Sequence, residues 1–294
     1  MTGFQLGFAP ITWNNEDLGD ELGPPVDYTT VLDQVAAAGY AATELGDGFP
    51  RDPQMLRDAL QTRGLSLPSA WCGLGFFQAD IQADLEHTRR LCGFLAAVGA
   101  SFTNLADQGT LERKAFAGRS STHGAPRLSV AEWDQLAERV CRAAEIVREH
   151  GLQATFHLHA GTWVETLEDL EALLGRAPAP LVKLCWDVGH AVYGGIDPVA
   201  VVRAHPERIA YIHLKDVDGR VLDQAIRDGV DFNTAIRRRV FTELGRGRLD
   251  VAGLLAALRD IDYAGWLMVE QDSTWLPAAE SARVSREFLK TLGV

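Results

Sequence analysis

The sequence predicts an α/β protein with a single (β/α)8 barrel, and two observations lead to this fold class. Eight short apolar runs, each followed by a stretch with helical periodicity, occupy the 294 residues without a spare strand or a dividing linker. The first run continues into Ala9-Pro-Ile-Thr-Trp13, which lacks the glycine-rich phosphate loop that a doubly wound sheet normally has at this place. We therefore expect one barrel domain spanning residues 1–294.

The predicted strands and helices alternate along the whole chain. The strands are expected at Gln5–Ala9, Ala41–Leu45, Ser66–Trp71, Ser101–Ala106, Gln153–His157, Val182–Trp186, Ile209–Leu214 and Trp266–Glu270. Apolar residues at helical spacing predict the intervening helices. These are expected at Tyr28–Ala38, Pro53–Arg63, Asp80–Val98, Val130–Glu149, Leu167–Leu174, Pro198–Ala204, Val251–Asp260 and Ala278–Leu292.

Two long segments show no periodicity: Asp107–Leu128 after the fourth predicted strand and Asp216–Asp250 after the seventh. Long loops in a compact domain are usually functional, and these lie on the side where barrels carry their active sites, so we expect two lids. The glycines of Leu244-Gly-Arg-Gly-Arg248 predict a turn that leads to Asp250 as a helix N-cap. The run Arg237–Arg239 is interpreted as a solvated helix face or an oligomer contact.

The composition indicates a cytoplasmic enzyme with a small substrate. Forty acidic and 28 basic side chains give a net charge of −12, which argues against a nucleic-acid partner. No apolar run approaches the ~18 residues needed to span a bilayer, and the first ten residues contain neither a basic region nor a cleavable apolar stretch. The four cysteines form no CxxC pair and are expected to be buried free thiols.

Polar side chains gather where the predicted strands end, at the face on which barrel strands converge. Asp187, His213 and Glu270 end three adjacent strands, so they can surround one divalent ion. His157, one strand further round, is predicted as the fourth ligand. The cluster contains no thiolate, which disfavours a closed structural zinc site. Alternatively, any single histidine is a core residue, or one carboxylate pairs with a neighbouring basic side chain.

Several motifs occur at and beside these strand ends. In the second half of the chain they are His157-Leu-His-Ala-Gly-Thr-Trp-Val-Glu-Thr166, Cys185-Trp-Asp-Val-Gly-His190, Tyr193-Gly-Gly-Ile-Asp-Pro198, His213-Leu-Lys-Asp-Val-Asp218 and the segments 240–250 and 265–272. The first half adds 9–17, 43–46, 49–53 and 69–71. Over nearly the full chain these motifs resemble the inosose dehydratases, a family of xylose-isomerase-like TIM barrels. The Asp187, His213 and Glu270 framework by itself specifies only that superfamily.

The resemblance implies a lyase that uses Mn²⁺ or Co²⁺ and removes water from 2-keto-myo-inositol (scyllo-inosose) in inositol breakdown. The mixed nitrogen and oxygen ligands also suit Zn²⁺ or Mg²⁺. Related isomerases carry a glutamate at the position of His157. The dehydratases resemble this sequence in replacing that glutamate. Two positions depart from the family pattern: Gly48 replaces a lysine, and Asp107 follows the fourth strand in place of a glutamate. A related keto-cyclitol or keto-sugar therefore stays open as the substrate.

Dehydration beside a ketone requires an acidified α-proton, a base that takes it and an acid for the leaving hydroxyl. The candidate bases are His159, His190, Glu44 and, in the following loop, Glu165. Lys215 is expected to stabilise oxyanion charge or to protonate the leaving hydroxyl. The residues predicted to contact the substrate are Trp13, which precedes two asparagines, Trp71 and Glu165.

Three alternatives to a dehydratase remain open from the sequence. The first is a sugar or inosose isomerase or 3-epimerase, which uses the same metal and enediol chemistry. The second, a zinc-dependent phosphodiester hydrolase, is disfavoured by the net charge of −12. The third is a binding module that has lost catalysis. A homodimer or a higher homo-oligomer is the expected assembly.

Overall fold

The computed structural model describes residues 3–15, 18–19, 23–77, 80–122 and 124–294, so Glu16 and Asp17 of the first motif lie outside the described residues. The strands are β1 (Gln5–Phe8), β2 (Trp71–Leu74), β3 (Phe102–Asp107), β4 (Gln153–His157), β5 (Val182–Asp187), β6 (Ile209–Leu214), β7 (Asp216–Val217), β8 (Phe241–Thr242) and β9 (Trp266–Val269). A 3-10 helix, Pro10–Thr12, follows β1. The α-helices are α1 (Tyr28–Ala37), α2 (Pro53–Gln61), α3 (Gln82–Val98), α4 (Leu111–Lys114), α5 (Val130–Glu149), α6 (Leu167–Leu174), α7 (Val188–Tyr193), α8 (Pro198–Ala204), α9 (Gly219–Asp228), α10 (Phe232–Arg237), α11 (Val251–Asp260) and α12 (Ala278–Thr291).

Seven parallel strands form the central sheet in the order β1-β9-β6-β5-β4-β3-β2. Ala42 joins its two edges, since it forms parallel bridges with both Gly7 and Ser66. The second predicted strand, Ala41–Leu45, is thus shortened to a bridge, but the N–H of Ala41 donates to Leu6 and that of Thr43 to Ser66. These hydrogen bonds close the sheet into a barrel.

The third predicted strand is displaced toward the carboxyl end of its segment. Within Ser66–Trp71, Ser66 forms an isolated bridge to Ala42, and the regular strand begins at Trp71. Pro68 explains the interruption, because proline has no N–H to donate to the ladder. Its carbonyl instead accepts the N–H groups of Ser101 and Phe102, which keeps the segment beside β3.

The helices begin at capping residues and pack apolar stripes against the barrel. Ser129 forms a capping box with Glu132 at the start of α5, and Thr166 forms one with Asp169 at the start of α6. The buried residues of α5 recur at helical spacing and face the sheet: Leu136, Val140, Ala143, Ala144 and Val147. These caps and stripes explain why the helix predictions match the structure closely.

The segment that follows β6 is folded, which corrects the prediction of a structureless lid over Asp216–Asp250. It contains the antiparallel pair β7–β8 and helices α9 and α10, which pack around a second apolar cluster that includes Tyr193, Leu222 and Phe232. Helix α9 buries Leu222 and Ala225 against this cluster, and helix α10 buries Phe232, Ala235 and Ile236.

The glycine-containing turn 244–248 wraps around a buried carboxylate. Asp216 accepts the N–H groups of Gly245, Gly247 and Leu249 at 2.9–3.0 Å. A Cβ at Gly247 would collide with this carboxylate, so glycine is required there. The predicted role of Asp250 is confirmed, since its side chain accepts the N–H of Gly253 and caps α11.

The cysteines and the helix lengths agree with the expectations from composition. Cys72, Cys92 and Cys185 are buried and Cys141 is half-buried, all four as free thiols. Within the described part of the chain, no helix has both the length and the apolar character of a membrane span.

Candidate active site

The predicted metal ligands lie together at the carboxyl ends of neighbouring strands. The sheet register places Asp187 of β5 directly beside His213 of β6, and β9, which ends just before Glu270, flanks β6 on its other side. His157 ends β4 on the opposite side of β5. Asp187 also caps α7 by accepting the N–H of His190 at 2.8 Å, which fixes the orientation of its carboxylate.

The side-chain atoms of these four residues form a continuous cluster. His157 Nε2 lies 3.3 Å from Asp187 Oδ2, and the same oxygen lies 3.6 Å from His213 Nδ1. His213 Nδ1 is in turn 2.9 Å from Glu270 Oε2. His157, Asp187 and His213 are buried, and Glu270 is nearly so. The structure therefore brings together all four side chains that the sequence suggested as ligands.

Two observations show that this cluster fits a divalent cation. His157 Nδ1 and His213 Nδ1 are buried without a hydrogen-bond partner among the described residues, although His213 Nδ1 has a carboxylate oxygen of Glu270 nearby. Buried ring nitrogens without a hydrogen-bond partner, next to ionised carboxylates, are typical of a site that a cation would complete. Three sets of candidate ligands, each with atoms within 4.8 Å of one another, overlap here: His157/Cys185/His213, His157/Asp187/His190 and Glu44/His213/Glu270.

Cys185 corrects the expectation that no sulfur lies in the cluster. Its side chain shares the barrel interior with His157 and His213. The alternation of side chains along β5 is the sequence signal for this, because Cys185 precedes Asp187 by two residues and points to the same face. Burial raises the pKa of the Cys185 thiol to about 12, so the sulfur stays protonated and remains a poor ligand at neutral pH.

Lys215 is buried among carboxylates beside the cluster. Its Nζ lies 2.8 Å from Glu270 Oε1, 2.9 Å from Asp272 Oδ1 and 3.5 Å from Asp187 Oδ2. Burial by itself would lower the pKa of Lys215, but these three carboxylates raise it well above its ordinary value. The side chain is therefore an ammonium that donates hydrogen bonds at neutral pH.

The same contacts keep the two carboxylates ionised. Burial opposes ionisation of Asp187, but the positive charge of Lys215 holds its pKa well below the usual range. Burial also raises the pKa of Glu270, but the nearby His213 and Lys215 outweigh this effect and lower the pKa below its usual value. Both side chains thus carry the negative charge that a cation site requires.

His159 and His190 form a neutral imidazole pair next to the cluster. Their ring centroids are 3.9 Å apart. Burial lowers the pKa of His159 to about 3 and also lowers that of His190, and the positive charge of Lys215 adds to both effects. His159 Nδ1 lies 2.8 Å from the Ala160 carbonyl and donates to it, so Nε2 holds the lone pair. His190 Nδ1 accepts the Ala160 N–H at 3.2 Å, which places the proton of this ring on Nε2.

Glu44, predicted as a candidate base, is buried against the cluster, and its carboxylate contacts His213. Glu44 Oε1 lies 3.1 Å from His213 Nε2 and accepts a hydrogen bond of 3.1 Å from Asn104 Nδ2. The sequence pattern did not identify Asn104 as a residue of the site. Its position in the middle of the buried strand β3 is a signal of such a role, because a buried polar side chain needs hydrogen-bond partners. These contacts make Glu44 an orienting partner of His213.

Trp71 lies at the opening of the site, where the sequence suggested a substrate contact. Its side chain is 41% exposed, although it sits beside buried residues. The indole presents an edge-on contact to His157, with a centroid distance of 4.9 Å, and a second to His159 at 5.8 Å. Trp71 therefore forms an accessible aromatic wall next to the imidazoles.

Two predicted substrate contacts occupy other positions. Trp13 lies in the apolar core, packs edge-on against Phe8 and donates its indole N–H to Gln34, because the 3-10 helix after β1 directs its side chain inward. Glu165 is buried beneath the segment 107–128, where its carboxylate accepts hydrogen bonds from the Gly118 N–H and the Ser120 hydroxyl. Neither side chain faces the cluster.

The two departures from the family pattern have local structural explanations. Gly48 has φ of +74°, a conformation that favours glycine, and no atom lies within 4 Å of where a Cβ would be. Asp107 is buried, and its Oδ2 accepts the N–H of Trp163 at 2.8 Å. Burial raises the pKa of Asp107 to about 6. Asp107 thus binds the segment that follows β4.

Comparisons with known proteins agree with this site and fold. Residues 32–292 match the family described as xylose isomerase-like TIM barrel. The inosose dehydratase of Geobacillus kaustophilus is 35% identical over an alignment of 302 positions, which covers 98% of this chain and 94% of that protein. That of Clostridium perfringens is 32% identical, with 97% and 96% covered. The chain therefore belongs to the xylose isomerase-like TIM barrels and, within them, to the inosose dehydratases, a family of hydro-lyases.

A solved structure confirms the predicted barrel. The D-allulose 3-epimerase of a Methylomonas species superimposes with a TM-score of 0.70 at 19% identity, over 99% of this chain and 98% of that chain. At this identity the likeness concerns the fold alone.

Proposed function

We propose that this protein is a divalent-metal-dependent dehydratase that removes water from 2-keto-myo-inositol. The observation that carries the proposal is the arrangement of a neutral imidazole base, His159, and a buried ammonium acid, Lys215, around one cluster of metal-ligand residues. Relatives named inosose dehydratase, which match over nearly the whole chain, support the choice of substrate.

The residues that would hold the ion are His157, Asp187, His213 and Glu270. A bound Mn²⁺ or Co²⁺ would supply Lewis-acid polarisation of the substrate ketone and so acidify its α-proton. Glu44, whose carboxylate lies against His213 Nε2, keeps the opposite nitrogen of that ring directed at the cluster.

His159 is the base in this proposal. Its Nδ1–H is occupied by the Ala160 carbonyl, so the lone pair on Nε2 is free to take the α-proton. Burial and the nearby Lys215 keep the ring neutral across the physiological pH range. The stacked ring of His190 and the edge of Trp71 restrict the motion of His159.

Lys215 and His190 form a donor pair for the leaving hydroxyl. Lys215 Nζ lies 3.4 Å from His190 Nε2, and because both atoms carry protons, they present two donors side by side. As the C–H bond breaks toward His159, the C–O bond breaks and the hydroxide leaves as water with a proton from Lys215. The proton on His159 returns to Lys215 through solvent, so the enzyme ends the cycle unchanged.

Trp71 completes the site as a platform for the substrate ring. A cyclitol presents C–H faces to an aromatic ring and hydroxyls to polar side chains. Because the indole is 41% exposed beside the imidazoles, it offers such a surface at the opening of the site.

The test is turnover by metal-stripped protein reloaded with Mn²⁺ or Co²⁺. We expect a metal-dependent absorbance increase from the dione product when 2-keto-myo-inositol is added. The variant His159→Asn should lose at least about 100-fold in kcat while it retains the ion, whereas His87→Asn, on the exposed face of α3, should match the parent. Proton exchange or a new isomer without loss of water would contradict dehydration and indicate an isomerase or epimerase.

A further inference from the structure

Asp272 is a buried carboxylate of the site with one oxygen unused. Its side chain is 4% exposed, and Oδ1 lies 2.9 Å from Lys215 Nζ. The other oxygen, Oδ2, is fully buried and has no hydrogen-bond partner in the parts of the chain that the structure describes. A buried polar atom without a partner is rare in native proteins and often indicates a position that a ligand fills.

The backbone around Asp272 is fixed from several directions. Asn15 donates to the carbonyl of Asp272 at 2.7 Å, and Thr12 donates to that of Gln271 at 2.7 Å. The hydroxyl of Ser273 binds the carbonyl of Ile236 at 2.8 Å. With the backbone and Oδ1 both held, Asp272 cannot turn Oδ2 toward solvent, so this acceptor is a built feature of the site.

The surroundings of Oδ2 favour a hydroxyl as its partner. Asp272 belongs to none of the three sets of candidate metal ligands, so its free oxygen is not directed at the ion. The adjacent ammonium of Lys215 is a donor, and Oδ2 is an acceptor. A donor beside an acceptor complements a hydroxyl group, which can accept from the one and donate to the other.

We propose that Asp272 is a specificity-determining residue that binds one ring hydroxyl of the substrate through Oδ2. The inference rests on the proposed function, because it concerns the polyhydroxylated ketone that would occupy that site. It adds that a substrate must carry a secondary hydroxyl next to the group that Lys215 protonates. An analogue that lacks this hydroxyl leaves Oδ2 buried and unpaired.

The experiment compares Asp272→Ala and Asp272→Asn with the parent, and Asp262→Asn, an exposed turn residue, is the matched control. Monodeoxy analogues of 2-keto-myo-inositol, each lacking one hydroxyl, are measured as inhibitors of turnover. In the parent, one analogue should bind about 10- to 100-fold more weakly than the others. Asp272→Ala should abolish that difference, and Asp272→Asn, whose amide still bonds to a hydroxyl, should restore part of it.

Each outcome separates this inference from the proposed function. No turnover of 2-keto-myo-inositol by the parent overturns both. Turnover by the parent with an unchanged pattern of inhibition in Asp272→Ala overturns the role of Asp272 alone. Mn²⁺ affinity, measured by calorimetry, should be the same within about threefold in both variants. A larger loss would make Asp272 a metal ligand and would also overturn the inference.

Discussion

Substitution of Gly189 by alanine should displace Lys215 and thereby reduce catalysis. Gly189 lies in α7 directly against the lysine, and a Cβ added there would lie 2.7 Å from both Cβ and Cγ of Lys215 and 2.8 Å from Cδ. Carbon atoms in ordinary contact are about 3.5–4.0 Å apart. The lysine stem or α7 must therefore move by about 0.8 Å, and the lysine Cβ cannot avoid the clash by a rotamer change.

A shift of this size is sufficient to break the contacts of the ammonium. Lys215 Nζ is 2.8 Å from Glu270 Oε1 and 2.9 Å from Asp272 Oδ1, so a further 0.8 Å removes both hydrogen bonds. Misplacement of a catalytic group by about 1 Å costs on the order of 100-fold in rate. We expect kcat to fall by about that factor, and overpacking to reduce stability by about 1–3 kcal/mol.

The assay is steady-state turnover of 2-keto-myo-inositol together with thermal unfolding. Gly93→Ala is the matched control, because Gly93 is also a helical glycine and its added Cβ would meet only His150, at 4.0 Å. Alanine there should leave kcat unchanged and stabilise the protein by up to about 1 kcal/mol. If Gly189→Ala keeps kcat within threefold of the parent, the requirement for Lys215 in its observed position is refuted.

Two other predictions concern the wall of the site and a buried acid. Trp71→Ala should raise KM up to about tenfold with little change in melting temperature, because the indole is 41% exposed; an unchanged KM would exclude it as the platform. Burial raises the pKa of Glu165 to about 7, so the folded state binds a proton that the unfolded state releases above about pH 4.5, and stability falls as pH rises from there to about 7. Glu165→Gln should therefore increase the free energy of unfolding, and with it the melting temperature, more at pH 8 than at pH 5. The difference between the two pH values should be up to about 3 kcal/mol in the free energy of unfolding. An equal change in melting temperature at both pH values would contradict this assignment.

The framework of the site could be predicted because position along a parallel strand determines location in a barrel. Asp187, His213 and Glu270 each lie at or beside the carboxyl end of an apolar strand, and the order of strands then places them side by side. Trp13 could not be placed in this way. It also follows a strand, but the 3-10 helix after β1 turns its indole back into the core, and this turn depends on tertiary packing against Gln34.

The contacts that complete the site come from single atoms and are invisible in sequence patterns. Asn104 supports Glu44 from the interior of β3, and Asp272 adds a carboxylate two residues after Glu270. A strand pattern shows that both residues are polar and that Asp272 lies near the carboxyl end of a strand. It does not show which oxygen finds a partner, because that depends on side-chain rotamers and on the register of adjacent strands.

The first long segment, 107–128, shows how a predicted lid can be a fixed wall. Arg113 in this segment is buried and donates to the Thr162 carbonyl at 2.8 Å, to the Pro126 carbonyl at 2.7 Å and to Asp169 at 2.8 Å. A buried guanidinium without hydrogen-bond acceptors has a high free-energy cost. Opening the segment therefore requires water to replace all three acceptors of Arg113 at the same time. The wall that follows β3 is therefore organised before substrate binds, which agrees with the proposal that His159 and Lys215 act from fixed positions.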